Sequence, residues 1–111
     1  MRKLVLLFAS VVLFAIPALS ETFHDVPVVD KNCSSKVAAN PDAHSRDCAL
    51  KCAASGYGIV TSDQKFLKFD ADGNAKIKEA LQASDKKDHL RVDVSGDVEN
   101  DTLKVKSVKL L

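Results

Sequence analysis

The stretch Leu90-Arg91-Val92-Asp93-Val94-Ser95-Gly96-Asp97-Val98, followed by Glu99-Asn100-Asp101 and then Thr102-Leu103-Lys104-Val105-Lys106-Ser107-Val108-Lys109-Leu110, decides the fold. Leu90, Val92, Val94 and Val98 alternate with Arg91, Asp93 and Asp97, the period of a strand with one buried face. Gly96 falls on the inward face, where a residue without a side chain marks a bend or bulge. Glu99-Asn100-Asp101 reads as a turn. Leu103 and Val105 resume the alternation, and Val108 and Leu110 continue it out of phase. A slip of one residue turns a strand's apolar set to the other face, so the change near Ser107 predicts a second bulge.

Upstream, Ala75 to Ser84 predicts a helix that buries Ile77, Ala80 and Leu81, and Ser84 to His89 is a charged connection. Asp70-Ala71-Asp72-Gly73-Asn74 superficially resembles a calcium loop. Its glycine is fourth rather than sixth, and Leu81 stands where a bidentate glutamate belongs, so the reading is a turn with a helix cap. Tyr57 to Thr61 and Lys65 to Phe69 form a hairpin about Ser62-Asp63-Gln64. Phe66 points to one face and Leu67 and Phe69 to the other, which suits a small barrel covered by a helix. Phe23 to Asp30 is a first strand, in which Pro27, lacking an N–H, suits an edge or a strand start. Asp30-Lys31-Asn32 turns the chain into Cys33, and Ser34 to Ala39 is a loop or a short helical turn. Asn40-Pro41-Asp42 then carries helix-start chemistry: a capping side chain, a proline where no donor is needed, and an acid at the positive end. That helix is expected to run to about Ala54 and stop at Ser55-Gly56.

The resulting order is strand, inserted helix, strand, strand, helix, strand, strand. Without the inserted helix it is the order of a five-stranded OB-type barrel. The expected fold class is therefore α+β and mainly β, with two helices: a small OB-like barrel with a Cys/His-bearing helix inserted after its first strand. Neither an internal repeat nor a low-complexity segment is present.

Met1-Arg2-Lys3 and the apolar run Leu4 to Ile16, broken by Pro17 and followed by Ala18-Leu19-Ser20, read as a signal peptide over residues 1–20, cut after Ser20. The run is shorter than the roughly 20 residues of a spanning helix. The absence of a cysteine at the cleavage site argues against a lipid anchor. The expected location is secreted or periplasmic, with residues 21–111 as one domain and no membrane attachment after cleavage. Without Arg2 and Lys3 the chain has 14 basic against 15 acidic residues, well interspersed. That balance, with no tryptophan and one tyrosine, argues against a nucleic-acid or anionic-membrane partner. Asn32-Cys33-Ser34 and Asn100-Asp101-Thr102 fit the glycosylation sequon, but the signal peptide is of bacterial type and neither is expected to be used. The pairs Asp70/Asp72 and Asp97/Glu99 read as solvated turns.

All three cysteines lie between Cys33 and Cys52, with His44 among them. On one continuous helix, at about 3.6 residues per turn, His44, Cys48 and Cys52 would form a single stripe. Cys48 and Cys52 would lie beside Ala49 and Ala53 on the buried side, and His44 at the edge. Three readings compete. In the first, Cys33 bonds Cys48 or Cys52, a staple worth roughly 3 kcal/mol, and the protein is an exported, non-enzymatic binding or interaction module. In the alternative, Cys33, His44, Cys48 and Cys52 bind zinc or copper as a Cys₃His site. In the third, one thiol is a redox centre beside His44. An odd cysteine also allows a thiol-linked dimer in place of a monomer. Nothing else resembles a nucleophile, a triad or an oxyanion-hole loop. His24 and His89 read as surface histidines.

The chain also resembles a loose group of small exported bacterial OB-fold-like domains of uncharacterised function. The resemblance lies in Val29-Asp30-Lys31-Asn32-Cys33, His44 with Cys48 and Cys52, Gly56-Tyr57-Gly58, Lys65-Phe66-Leu67, and Val94-Ser95-Gly96-Asp97-Val98 through Leu103-Lys104-Val105. It covers most of the chain after residue 20 and implies a fold but no activity. Gln64 stands where such chains usually have glycine.

Overall fold

A computed structural model describes residues 19–111, and of Leu19 its backbone only. The leader expected over residues 1–20 lies outside the described residues except for its last two. Five strands close into a barrel in the order β1-β2-β3-β5-β4: β1 Leu19–Asp30, β2 Tyr57–Val60, β3 Phe66–Phe69, β4 Arg91–Glu99 and β5 Thr102–Leu110. Antiparallel pairing joins every neighbouring pair except β3 and β5, which run parallel through Lys68–Thr102 and Phe69–Leu103. This is a closed, mainly β, α+β barrel of the OB-like kind.

The alternation on β4 produces the core. Val92, Val94 and Gly96 are buried, while Arg91, Asp93, Ser95 and Asp97 are only half-buried. Both expected bulges are one feature seen from its two sides. Ser95 pairs with Ser107 and Gly96 with Val105, so Lys106 is the extra residue opposite the Ser95–Gly96 step. A second irregularity lies in β1 between Phe23 and Val26, where Asp25 takes a positive φ of 52°. β1 is longer than expected because its first half, from Leu19, pairs along β4 and only its last residues pair with β2. Pro27 stands at that handover rather than at an edge, so its missing N–H interrupts neither ladder. Gln64, in the glycine-preferring turn position, has φ 64°.

The helix α3, Ala71–Ala83, begins four residues earlier than expected. Asp70 caps it by accepting from Gly73 N–H at 3.0 Å, and the same oxygen accepts from Val105 N–H at 3.2 Å. Asp70 is thus the helix cap that the turn was read to supply. Ile77 and Leu81 are fully buried on the barrel side.

The insertion between β1 and β2 departs most from expectation. After a 3-10 turn at Lys31–Cys33, Ser34–Val37 forms the short helical turn allowed for there (α1), but the single helix expected from Asn40 to about Ala54 is replaced by a 3-10 turn at Pro41–Ala43, α2 at Arg46–Lys51 and a 3-10 turn at Ala53–Ser55. Among the described residues there are therefore three α-helices rather than two. The Asn40 side chain caps nothing, and His44 is extended (ψ 127°). The effective helix start is Ser45, whose hydroxyl accepts from Cys48 N–H at 3.1 Å. Gly56 ends the segment with φ 85°, as its position required.

Tertiary partners compete successfully for the residues of the first start signal. The two carboxylate oxygens of Asp42 accept from Arg91 Nε and Nη2, each at 3.0 Å, and tie the insertion to β4. These hydrogen bonds, reinforced by the guanidinium charge, hold the Asp42 carboxyl below the usual carboxylate range. A carboxyl that keeps its charge to lower pH when folded adds stability that is full above the ordinary value of about 4. It is lost as pH falls through the lower folded value. Both side chains are about a third exposed, so solvent limits the effect. Asp42→Asn is expected to lower the urea midpoint at pH 7 by an amount equivalent to about 0.5–1 kcal/mol. Its deficit against the parent should shrink toward zero in acid; a deficit independent of pH would contradict the assignment.

Candidate functional site

Asp30 ends β1 and is completely buried, and it organises the insertion. Its Oδ2 accepts from Cys33 N–H at 3.1 Å, capping the first 3-10 turn. Its Oδ1 lies 2.5 Å from Nε2 of His44, which is itself 4% exposed. The buried polar pair is therefore satisfied by its own partners, as burial demands. His44 can reach Asp30 only because the helix is broken there. Tyr57, at the start of β2, closes the layer: its hydroxyl donates to Ala49 C=O at 2.7 Å and its N–H to Asn74 Oδ1 at 2.8 Å.

Cys33 follows directly from the capped turn and Cys52 from the end of α2. One donor atom from each of Asp30, Cys33 and Cys52 lies within 4.8 Å of the other two. His44 does not belong to that triple, although it touches Asp30. Cys48, expected on the buried side, is exposed and outside the group. Breaking the helix at His44 and ending it at Cys52 (φ −99°, ψ 22°) removes the single stripe that a continuous helix would have made. All three cysteines are free thiols, and no bond joins Cys33 to Cys48 or Cys52. Of the two partners considered for Cys33, Cys52 is the one brought near.

The residue missed from sequence is Asp30. Its signal was present as Asp30-x-x-Cys33, the spacing at which an aspartate caps a helical turn and presents the third residue beside its own carboxylate.

Burial, then the Asp30 carboxylate and Cys52, push the Cys33 thiol up, and Lys36 only partly opposes them. Burial, Asp30 and Cys52 likewise push the Tyr57 hydroxyl up. Two surface grooves of about 520 and 460 Å³, one beside Arg46 and Ser84 and the other beside Pro27 and Val60, are not lined by any cysteine. His24 and His89 are exposed, each beside an aspartate.

The fold and site together define a small OB-like barrel carrying an Asp/Cys/Cys cluster in the insertion after its first strand. Comparison with protein-family models, curated proteins and solved structures returned no match.

Proposed function

We propose that the protein is an exported, non-enzymatic binding module whose Asp30/Cys33/Cys52 group takes up one thiophilic metal ion, zinc or copper(I). The observation that carries this reading is the convergence of three acidic donors, one fully buried, within 4.8 Å. Donors at about 2.3 Å from a tetrahedral zinc stand roughly 3.7 Å apart, so a closure of about 1 Å at most is needed. Thiolates suit either metal, and a bound cation would offset the burial and the neighbouring Asp30 and Cys52 charges that raise the Cys33 thiol. His44 then serves by fixing the carboxylate, the role a hydrogen-bonded neighbour commonly plays for a metal ligand.

The second reading is a Cys33–Cys52 disulfide. The same proximity favours it, and an exported protein meets oxidising surroundings. Closing roughly 20 residues would be worth about 3 kcal/mol. A redox thiol beside His44 is the least supported, because His44 turns its Nε2 to Asp30 Oδ1 at 2.5 Å and a reactive cysteine needs a neighbour that favours the thiolate.

Intact mass under non-reducing conditions, thiol counting and metal analysis separate the readings. The expected result is three free thiols and one metal per chain. Cys33→Ser and Cys52→Ser should lose the metal and Cys48→Ser should keep it, while His44→Ala should weaken affinity about 10- to 100-fold. A mass two hydrogens lower, with one free thiol and no metal, would replace the metal reading by the disulfide.

A further inference from the structure

The cluster offers three donors, whereas zinc, of the two ions proposed above, takes four in a tetrahedral site. Resting on the metal reading above, we infer that the fourth position belongs to a small exogenous thiolate, so that the centre is an open ligand-binding site rather than a closed structural one. Closed zinc sites draw all four ligands from the protein, whereas sites with three protein ligands hold water or an incoming molecule in the fourth place.

The two residues able to close the site are both directed elsewhere. His44 turns Nε2 to Asp30 Oδ1 at 2.5 Å, and neither of its ring nitrogens joins the triple. Cys48 is exposed, a helical turn before Cys52 on α2, and also lies outside the triple. Cys33 and Cys52 are themselves half-buried rather than sealed, which leaves an approach from solvent. A centre already bearing two sulfur donors suits a soft third one better than water. The exchange is balanced: the incoming thiol gives its proton to solvent, its sulfur bonds the metal, and one water leaves.

Cobalt(II) serves as the probe, with the whole protein and 2-mercaptoethanol as the added thiol. The expected result is one cobalt per chain and a sulfur-to-cobalt charge-transfer band that grows by roughly half as a third sulfur joins two. The response should saturate with one thiol per metal and be the same in Cys48→Ser. A bound cobalt whose spectrum ignores the thiol would overturn the open site and leave the metal reading standing. A thiol response that appears only in Cys48→Ser would also overturn it, by identifying Cys48 as the fourth ligand. Failure to bind cobalt at all, with the thiols free, would remove the metal reading and this inference together.

Discussion

Asp30→Ala is expected to lower stability by about 3 kcal/mol and to abolish metal uptake. The stability loss has two sources. Deleting the carboxylate leaves His44 buried with no partner for Nε2, and an unsatisfied buried polar group costs about 1–3 kcal/mol. It also removes the acceptor for Cys33 N–H, and loss of a cap costs about 1 kcal/mol. Asp30→Asn separates stability from binding. The amide retains the shape and an acceptor, so the structural cost should fall to about 1 kcal/mol. Metal affinity should still fall strongly, because a neutral amide is a much poorer ligand beside two thiolates. Urea midpoints and metal stoichiometry measured on both variants check the pair of statements. Full metal binding by Asp30→Asn would show that the carboxylate is not a ligand. Asp30→Ala at parental stability would contradict the buried network itself.

The contrast between barrel and insertion shows which information is local. The two long strands, the Gly96 bend and the slip at Ser107 are written in a period of two, and each is decided by neighbours a few residues away. The same holds for α3, whose Asp70 cap lies only three residues from the Gly73 N–H it accepts from. The barrel closure follows from the order of elements once the strands are identified. The insertion obeys other constraints. Its local signals at Asn40-Pro41-Asp42 favour one helix, but Asp42 answers to Arg91, Arg46 Nε to the Leu81 carbonyl, and His44 to Asp30. These partners are 49, 35 and 14 residues away. Helix propensity differences of under about 1 kcal/mol per residue cannot outweigh a buried hydrogen bond with a comparable or larger cost of breaking. The candidate site inherits that division. The sequence singles out the three cysteines and His44 together, without choosing among them. The choice of Asp30 over His44 and Cys48 depends on where the helix breaks, which is a tertiary outcome.

Gly96→Ala is expected to open the barrel wall, with a loss of about 3 kcal/mol or more. A Cβ placed at Gly96 would stand 2.1 Å from the Lys104 carbonyl oxygen, 2.8 Å from its carbon and 3.0 Å from Val105 Cα. All three atoms are backbone, so no rotamer change can clear them. They belong to β5 beside the extra residue Lys106, where β4 and β5 fall out of register. Accommodation would require the two strands to separate at the bulge. The cost spreads beyond one contact, because Val94 and Val98 on β4 pack with Leu103 and Val105 on β5 through the same stretch of wall. A register slip offers no escape, since it would turn those apolar residues outward. Ser95→Ala is the control on the neighbouring, outward position. It removes only the contact between the Ser95 and Ser107 hydroxyls at 2.7 Å and should cost less than about 1 kcal/mol. Equilibrium urea unfolding of the two variants against the parent gives the comparison. Equal small losses would mean that β4 and β5 do not approach as closely at Gly96 as the bulge requires. A loss confined to Gly96→Ala would tie the barrel's closure to a bend legible in the alternation of Val92, Val94 and Val98.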